Sequence, residues 1–245
     1  AYILRSPLAH AKIKSIDTAA AKASDGVVAV FTGADVAHIN GIPTAWQVDF
    51  IDGEAMREPK HALLAHDKVR HVGDGVAIVI AESKALACDA AALIEVDYEE
   101  LPVVVDASRA LESGAPMVHD ELADNRSFDW QLGDKASTDT GIANAHHVTK
   151  MKIRNQRMIA NAIEPRSYVG DYDKGRDQYT LYTATQNPHV IRLLMCAFVL
   201  GIPEHKVRVV AKDVGGGFGS KIAHYTEEAL VTWAASKIGR PVKWT

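Results

Sequence analysis

Sulfur is scarce in this sequence. Its 245 residues include two cysteines, Cys88 and Cys196, and neither belongs to a CxxC or histidine-associated spacing. No iron–sulfur or zinc centre built by this chain is expected. Both cysteines read as small buried apolar residues of helical stretches rather than as disulfide partners. Long apolar runs are also missing: none approaches the ~20 residues that a bilayer-spanning helix needs, so no membrane span is expected. An excess of one charge is absent too, because 27 Lys and Arg stand against 31 Asp and Glu, mixed along the chain, for a formal charge of -4. Such a balance provides no cationic field for a phosphate backbone or an anionic lipid, so nucleic acid and membrane surfaces are not expected partners. The opening AYILRSPLAH lacks the charged-then-apolar order of an export signal, which points to the cytoplasm unless a leader precedes Ala1. There is no fixed repeat and no low-complexity tract.

What is present is ordinary globular material, 47% hydrophobic and 24% charged, enough for one large core or two modest ones. Strand and helix signals alternate at first. Residues 11–16 alternate apolar and polar, 18–23 favour helix, and 26–31 form a β-branched run that closes at Thr32, which can cap a short turn with Asp35. Residues 41–56 show no sustained period and read as a surface loop. The strongest strand signal is 72–81, followed by a helix of good formers at 82–92 and an alternating strand at 93–98. Two strand, helix, strand units result. Pro102 leads out of a first domain at 1–106, and the polar, aperiodic stretch 107–134 is expected to run over a surface. A second domain at 135–245 is read as mixed α+β. It has strand-like alternation at 146–158 and 167–183, a turn at 173–175, helices at 188–200 and 223–238, and a strand at 206–210.

Three segments carry the chemistry. Residues 213–221 read DVGGGFGSK between a strand and a helix. Three consecutive glycines are costly to order, and they suit a place where a large ligand must approach the backbone or where N–H groups converge on an anion; a tight turn is the plain alternative. The familiar nucleotide fingerprints fail, because Ser220 stands both where the P-loop needs glycine before Lys221 and where the dinucleotide pattern needs its third glycine. Residues 185–189 read TQNPH. An amide held at the positive end of the following helix can donate to an oxygen ligand, or simply cap that helix. Residues 161–166 read NAIEPR, and here Glu164 and Arg166 are expected to find partners other than each other, in a structural more than a catalytic role.

In this order and spacing the segments resemble the molybdenum-cofactor subunits of the molybdenum hydroxylases, the family of xanthine dehydrogenases, aldehyde oxidoreductases and aerobic carbon monoxide dehydrogenases. Its members typically show NAMEPR-like, TQxPH, GIPxxKVR and GGGFGxK elements, which here stand at 161–166, 185–189, 201–208 and 215–221. RSPLAHAKI at 5–13, GVVAVFTGADV at 26–36, KVRHVGDGVAIVIAES at 68–83 and GAPMVHDEL at 114–122 resemble the α/β hammerhead domain that precedes the cofactor domain. The resemblance covers nearly the whole chain. It implies a hammerhead domain of the aldehyde oxidase/xanthine dehydrogenase type, followed by the first part of a molybdopterin-binding domain.

The resemblance also implies roles. The glutamine matching Gln186 hydrogen-bonds an oxo ligand of molybdenum, and Gly215, Gly216, Gly217, Phe218 and Gly219 line the pterin and substrate pocket, with Phe218 at the metal. The pterin dithiolene holds the metal, so the chain needs no metal ligand of its own. In bacteria this cofactor is usually the cytosine dinucleotide form. The family reaction inserts a water-derived oxygen at an aldehyde or heteroaromatic carbon, or oxidises carbon monoxide. Electrons leave through [2Fe–2S] clusters to FAD, carried by a small iron–sulfur subunit and a medium FAD subunit in a dimer of heterotrimers. Purine-oxidising members carry glutamate after the loop lysine; Ile222 stands there in this chain, which disfavours xanthine. The family's general-base glutamate and the cysteine loop of carbon monoxide dehydrogenases lie beyond Thr245. The chain alone is therefore expected to be inactive, with the remaining C-terminal half of the subunit as a further partner.

Two rivals stand beside this reading. One is a non-catalytic scaffold or assembly subunit of such a complex. The other is a nicotinamide-dependent dehydrogenase, which suffers from the failed fingerprint and from the lack of an acidic residue ~20 positions later. Eleven histidines include the neighbours His146 and His147, but adjacent residues of a strand point to opposite faces and do not chelate one ion.

Overall fold

An apolar run such as VAIVI at 76–80 is satisfied only if both faces of its strand are covered, and the computed structural model, which describes residues 1–245, covers both. In chain order the elements are β1 (Tyr2–Arg5), β2 (Ala11–Asp17), α1 (Ala19–Ala23), β3 (Val27–Thr32), α2 (Gly33–Val36), β4 (Lys68–Val69), β5 (Gly75–Ala81), α3 (Lys84–Ala91) and β6 (Glu95–Glu100). There follow α4 (Lys135–Ala143), β7 (Tyr168–Asp173), β8 (Gln178–Thr183), α5 (Pro188–Leu193), β9 (Val207–Val210), α6 (Thr226–Ile238) and β10 (Val242–Trp244).

Strand β5 lies between β1 and β3, antiparallel to both. Its Ala77 and Val79 pack with Ala87, Ala90 and Ala91 of α3, whose small side chains let the helix lie close. Its Ile78 and Ile80 face the other way, into a cluster of 21 buried residues that also holds Leu181 of β8 and Leu230 of α6. At either end of this layer the local signals act as the sequence suggests. Asp35 and Thr32 form the capping box of α2, and the Ser83 hydroxyl accepts the Leu86 N–H at the start of α3.

The two strand, helix, strand units do not build one sheet. Strand β2 pairs with both β6 and β4 in a second sheet of order β4-β2-β6, while β3 and β5 remain in the first. Composition sorts them: the half-exposed, charged strands ladder together, as in the Lys12–Glu99 pair, and the apolar ones share the buried sheet. Strand β1 is an addition, because YILR alone shows no period; β5 supplies its template, with Tyr2 opposite Val79.

The third sheet has the order β10-β7-β8-β9, with β8 and β9 parallel and the other pairs antiparallel. The β7/β8 hairpin turns at Asp173, whose Oδ1 accepts the N–H groups of Gly175 and Arg176. Helix α6 lies against this sheet and against the first one. Every residue from Glu227 to Ala235 is buried, and Trp233 meets Phe31 edge-on at 4.8 Å.

Several expectations are corrected. The helix read over 188–200 is α-helical to Leu193 and then a π-helix over Leu194–Leu200, ending at Gly201 with φ 64°. The wider turn places Leu194, Met195 and Cys196 together in the core. Helix α6 begins at Thr226 rather than near residue 223, because the Glu228 carboxylate accepts the Tyr225 N–H and starts the helix there. Helix α4, capped by Asp134, occupies a place where no element is expected. The alternation at 146–158 forms no strand, since no neighbour pairs with it. Cys88 is exposed on the outer face of α3, whereas Cys196 is buried and its thiol is pushed up to about 11 by burial. No helix is long and apolar enough to cross a membrane.

Candidate functional site

Sheet topology brings the three segments together. Tyr168, at the start of β7, lies opposite Thr183, at the end of β8, and Tyr182 lies opposite Val210, at the end of parallel β9. The chain entering β7, leaving β8 and leaving β9 therefore passes one end of the sheet. Those three stretches carry Glu164, Gln186 and the glycine loop.

The loop is fastened from both sides. On one side Gly215 N–H donates to Glu164 Oε2 at 2.8 Å and Glu164 N–H donates to Gly215 O at 3.2 Å. Lys221, with a side chain 1% exposed, donates through Nζ to Glu164 Oε2 at 2.8 Å and to the Glu164 carbonyl at 2.9 Å. The Lys221 hydrogen bond and the Gly215 N–H hold the Glu164 carboxyl below the ordinary carboxylate range. On the other side Gly219 N–H donates to Gln186 Oε1 at 3.1 Å, and the Lys221 carbonyl accepts the Gln186 N–H at 2.9 Å and the Thr185 hydroxyl at 3.1 Å.

Between these anchors the glycines have specific work. A Cβ on Gly217 would lie 2.4 Å from Gln186 Oε1, so the glutamine side chain rests directly on a bare Cα. Gly216 has φ 95°, and the next residue but one, Phe218, is itself left-handed at φ 50° and 77% exposed. That conformation costs a bulky residue about 1 kcal/mol or more, and it is held by the anchors on either side. Asn161, across the site, also has φ 50°.

The loop keeps free donors. Gln186 Nε2 and the N–H groups of Gly217 and Phe218 make no hydrogen bond within the chain. The Glu164 carboxylate is already occupied by Lys221 and Gly215. These donors can bind and orient an electron-rich group. No three His, Cys, Asp or Glu side chains converge in a group that could hold a metal.

Glu164 and Arg166 do not pair with each other. The Arg166 guanidinium lies over the Tyr225 ring at 3.8 Å and 3.7 Å from Glu227 Oε2, and Glu227 also receives Arg5 at 2.5 Å. Arg5 lies in β1 and Arg166 just before β7, so through Glu227 these arginines tie the first and third sheets to the start of α6.

Sequence reasoning did not single out the layer beneath the loop. Glu228, with a side chain 1% exposed, accepts the Thr183 hydroxyl at 2.5 Å and lies 2.8 Å from His224 Nδ1. It thereby joins the end of β8 to the start of α6, and the Tyr225 hydroxyl donates to the Ser220 carbonyl of the loop. The available signal was the pairing of His224 and Glu228 four residues apart, one turn of a helix, beside an otherwise apolar helix.

Comparison with known proteins agrees over both halves. Residues 1–102 match the aldehyde oxidase and xanthine dehydrogenase a/b hammerhead domain, and residues 118–245 match the molybdopterin cofactor-binding domain. The carbon monoxide dehydrogenase large chain of Afipia carboxidovorans is 39% identical over 98% of this chain and 30% of its own length. The nicotine 6-hydroxylase large subunit of Paenarthrobacter nicotinovorans is 37% identical over 100% of this chain and 29% of its own length. The crystal structure of quinoline 2-oxidoreductase from Pseudomonas putida 86 superposes with a TM-score of 0.88 at 39% identity, over 99% of this chain and 30% of that one. The chain thus spans about 30% of the length of these relatives.

Proposed function

The chain belongs to the molybdenum hydroxylases, as part of their molybdopterin-binding large subunit, and we propose that its glycine loop and Gln186 form one wall of the molybdenum–pterin site. The observation that carries this reading is the seat of Gln186 on Gly217: a bare Cα, an amide whose oxygen is engaged by Gly219, and an amide nitrogen left to donate outward. A cofactor with its own sulfur ligands fits this site, because it asks the protein for hydrogen bonds and close approach rather than for a metal ligand.

When bound, molybdopterin supplies the two-electron redox chemistry. The chain's residues hold and orient. Gly215 to Gly219 admit the group to the backbone, Gln186 directs its Nε2 toward it, Phe218 stands at the open face, and Glu164 with Lys221 keeps the loop in place. We assign residues 1–106 to the hammerhead domain, 107–134 to the connection and 135–245 to the first part of the cofactor domain. The assembly is a cytoplasmic dimer of heterotrimers in which partner subunits carry [2Fe–2S] clusters and FAD, and the pterin is the cytosine dinucleotide form. Its substrate is an aldehyde, a heteroaromatic ring carbon or carbon monoxide. Xanthine is disfavoured, since half-exposed Ile222 stands at the loop's end where purine-oxidising members carry glutamate.

Purification of the chain with its partner subunits tests the reading. The expected complex contains about one molybdenum per chain, absorbs as an iron–sulfur protein, and reduces a dye when substrate is added. Gly217→Ala, which pushes Gln186 off its seat, is expected to lower turnover on the order of 10- to 100-fold. A colourless, metal-free complex would instead identify a scaffold subunit, and the reading would fail.

A further inference from the structure

The segment between α4 and Glu164 leaves its bonding capacity unused. Every residue from 144 to 161 is exposed. From His146 to Ile163 no backbone N–H or C=O hydrogen-bonds within the chain. Its sequence nevertheless has the period of a strand: Thr149, Met151 and Ile153 alternate with Lys150, Lys152 and Arg154, so an extended backbone turns a largely apolar edge one way and a cationic edge the other. Met151, Ile153, Met158 and Ile159 are 76%, 79%, 88% and 85% exposed. Arg154 meets Asp106 at 3.0 Å, but Lys150, Lys152 and Arg157 have no acidic partner, and the sequence holds no Asp or Glu between Asp139 and Glu164.

A run of unpaired donors and acceptors flanked by exposed apolar side chains is a template for another strand. We propose that residues 146–158 are a docking strand for an extended segment of the remaining polypeptide of the same large subunit, with carboxylates facing Lys150 and Lys152 and apolar side chains beside Met151 and Ile153. The proposal rests on the family reading. Charge complementarity defines the occupant's acidic edge. Its source follows from length, because this chain matches only about 30% of each relative, so proteins of this kind carry a long further stretch of their own. Position agrees: the segment runs straight into Glu164, which holds the glycine loop, so a strand added here is delivered to the cofactor face.

The test uses the purified complex. Amides of residues 147–158 are expected to exchange on the order of 100-fold more slowly than in a free peptide of the same sequence. Zero-length carbodiimide coupling is expected to join Lys150 or Lys152 to Asp or Glu of the large subunit's own further chain. Exchange at free-peptide rates overturns the proposal, as do cross-links that lead only to an iron–sulfur subunit, an FAD subunit or a second copy. Molybdenum content and visible absorption of the same sample report separately on the family reading; a metal-free sample with a protected segment leaves the docking strand standing and removes the cofactor assignment.

Discussion

Strand β5 and the segment at 146–158 both carry strand signals in the sequence, the stronger at β5, and they end in opposite states. Between β1 and β3, with α3 on one face and α6 on the other, β5 buries every residue from Val76 to Ile80. The later segment has apolar residues at regular spacing too, yet it has no neighbour within the chain. Propensity differs in degree; company differs in kind. A strand's stability comes from the strands and side chains beside it, so a strand-like pattern becomes a core element in one place and a vacant edge in another.

The largest way to break the comparison is at β5. Ile78→Ala empties space around a fully buried side chain shared by the cores of both halves, and it is expected to cost roughly 2–5 kcal/mol in urea denaturation. A loss below 1 kcal/mol would show that the strand is less central than its burial implies. A smaller, pH-dependent effect is expected at the glycine loop. The Glu164 carboxyl ionises below its ordinary range in the folded chain, so its contribution is complete above the unfolded value and is lost as pH falls through the lowered one. The Gly215 amide resonance should follow this titration, and it should stay flat in Glu164→Gln. The smallest effect belongs to the unpaired segment, where Ile153→Ala is expected to change the stability of this chain by no more than about 0.5 kcal/mol. A change as large as that at Ile78 would mean the segment is packed after all.

What could be read in advance was local or motif-based. The strand at β5, the helix after it, the hairpin at Asp173 and the Thr32–Asp35 cap all follow from residues a few positions apart. The elements bearing Glu164, Gln186 and the glycine loop were visible as motifs, and the resemblance they carry holds over both halves of the chain. Their meeting place was not visible, because it depends on β9 lying parallel beside β8 and on an ion pair that joins residues as distant as Glu164 and Lys221. Division of the first six strands between two sheets is likewise a long-range outcome, as is the recruitment of β1. Burial of His224 and Glu228 depends on α6 being enclosed on both sides, which no local pattern announces.

One core joins what the sequence divides. Ile3, Val36 and Ile78 pack in the same cluster as Leu181, Leu230 and Val242, and Arg5 reaches across to Glu227. A genetic rearrangement that parted the β5 sheet from α6 would leave each fragment with a bare apolar flank. The two halves therefore depend on each other for cover, and folding of one is coupled to folding of the other.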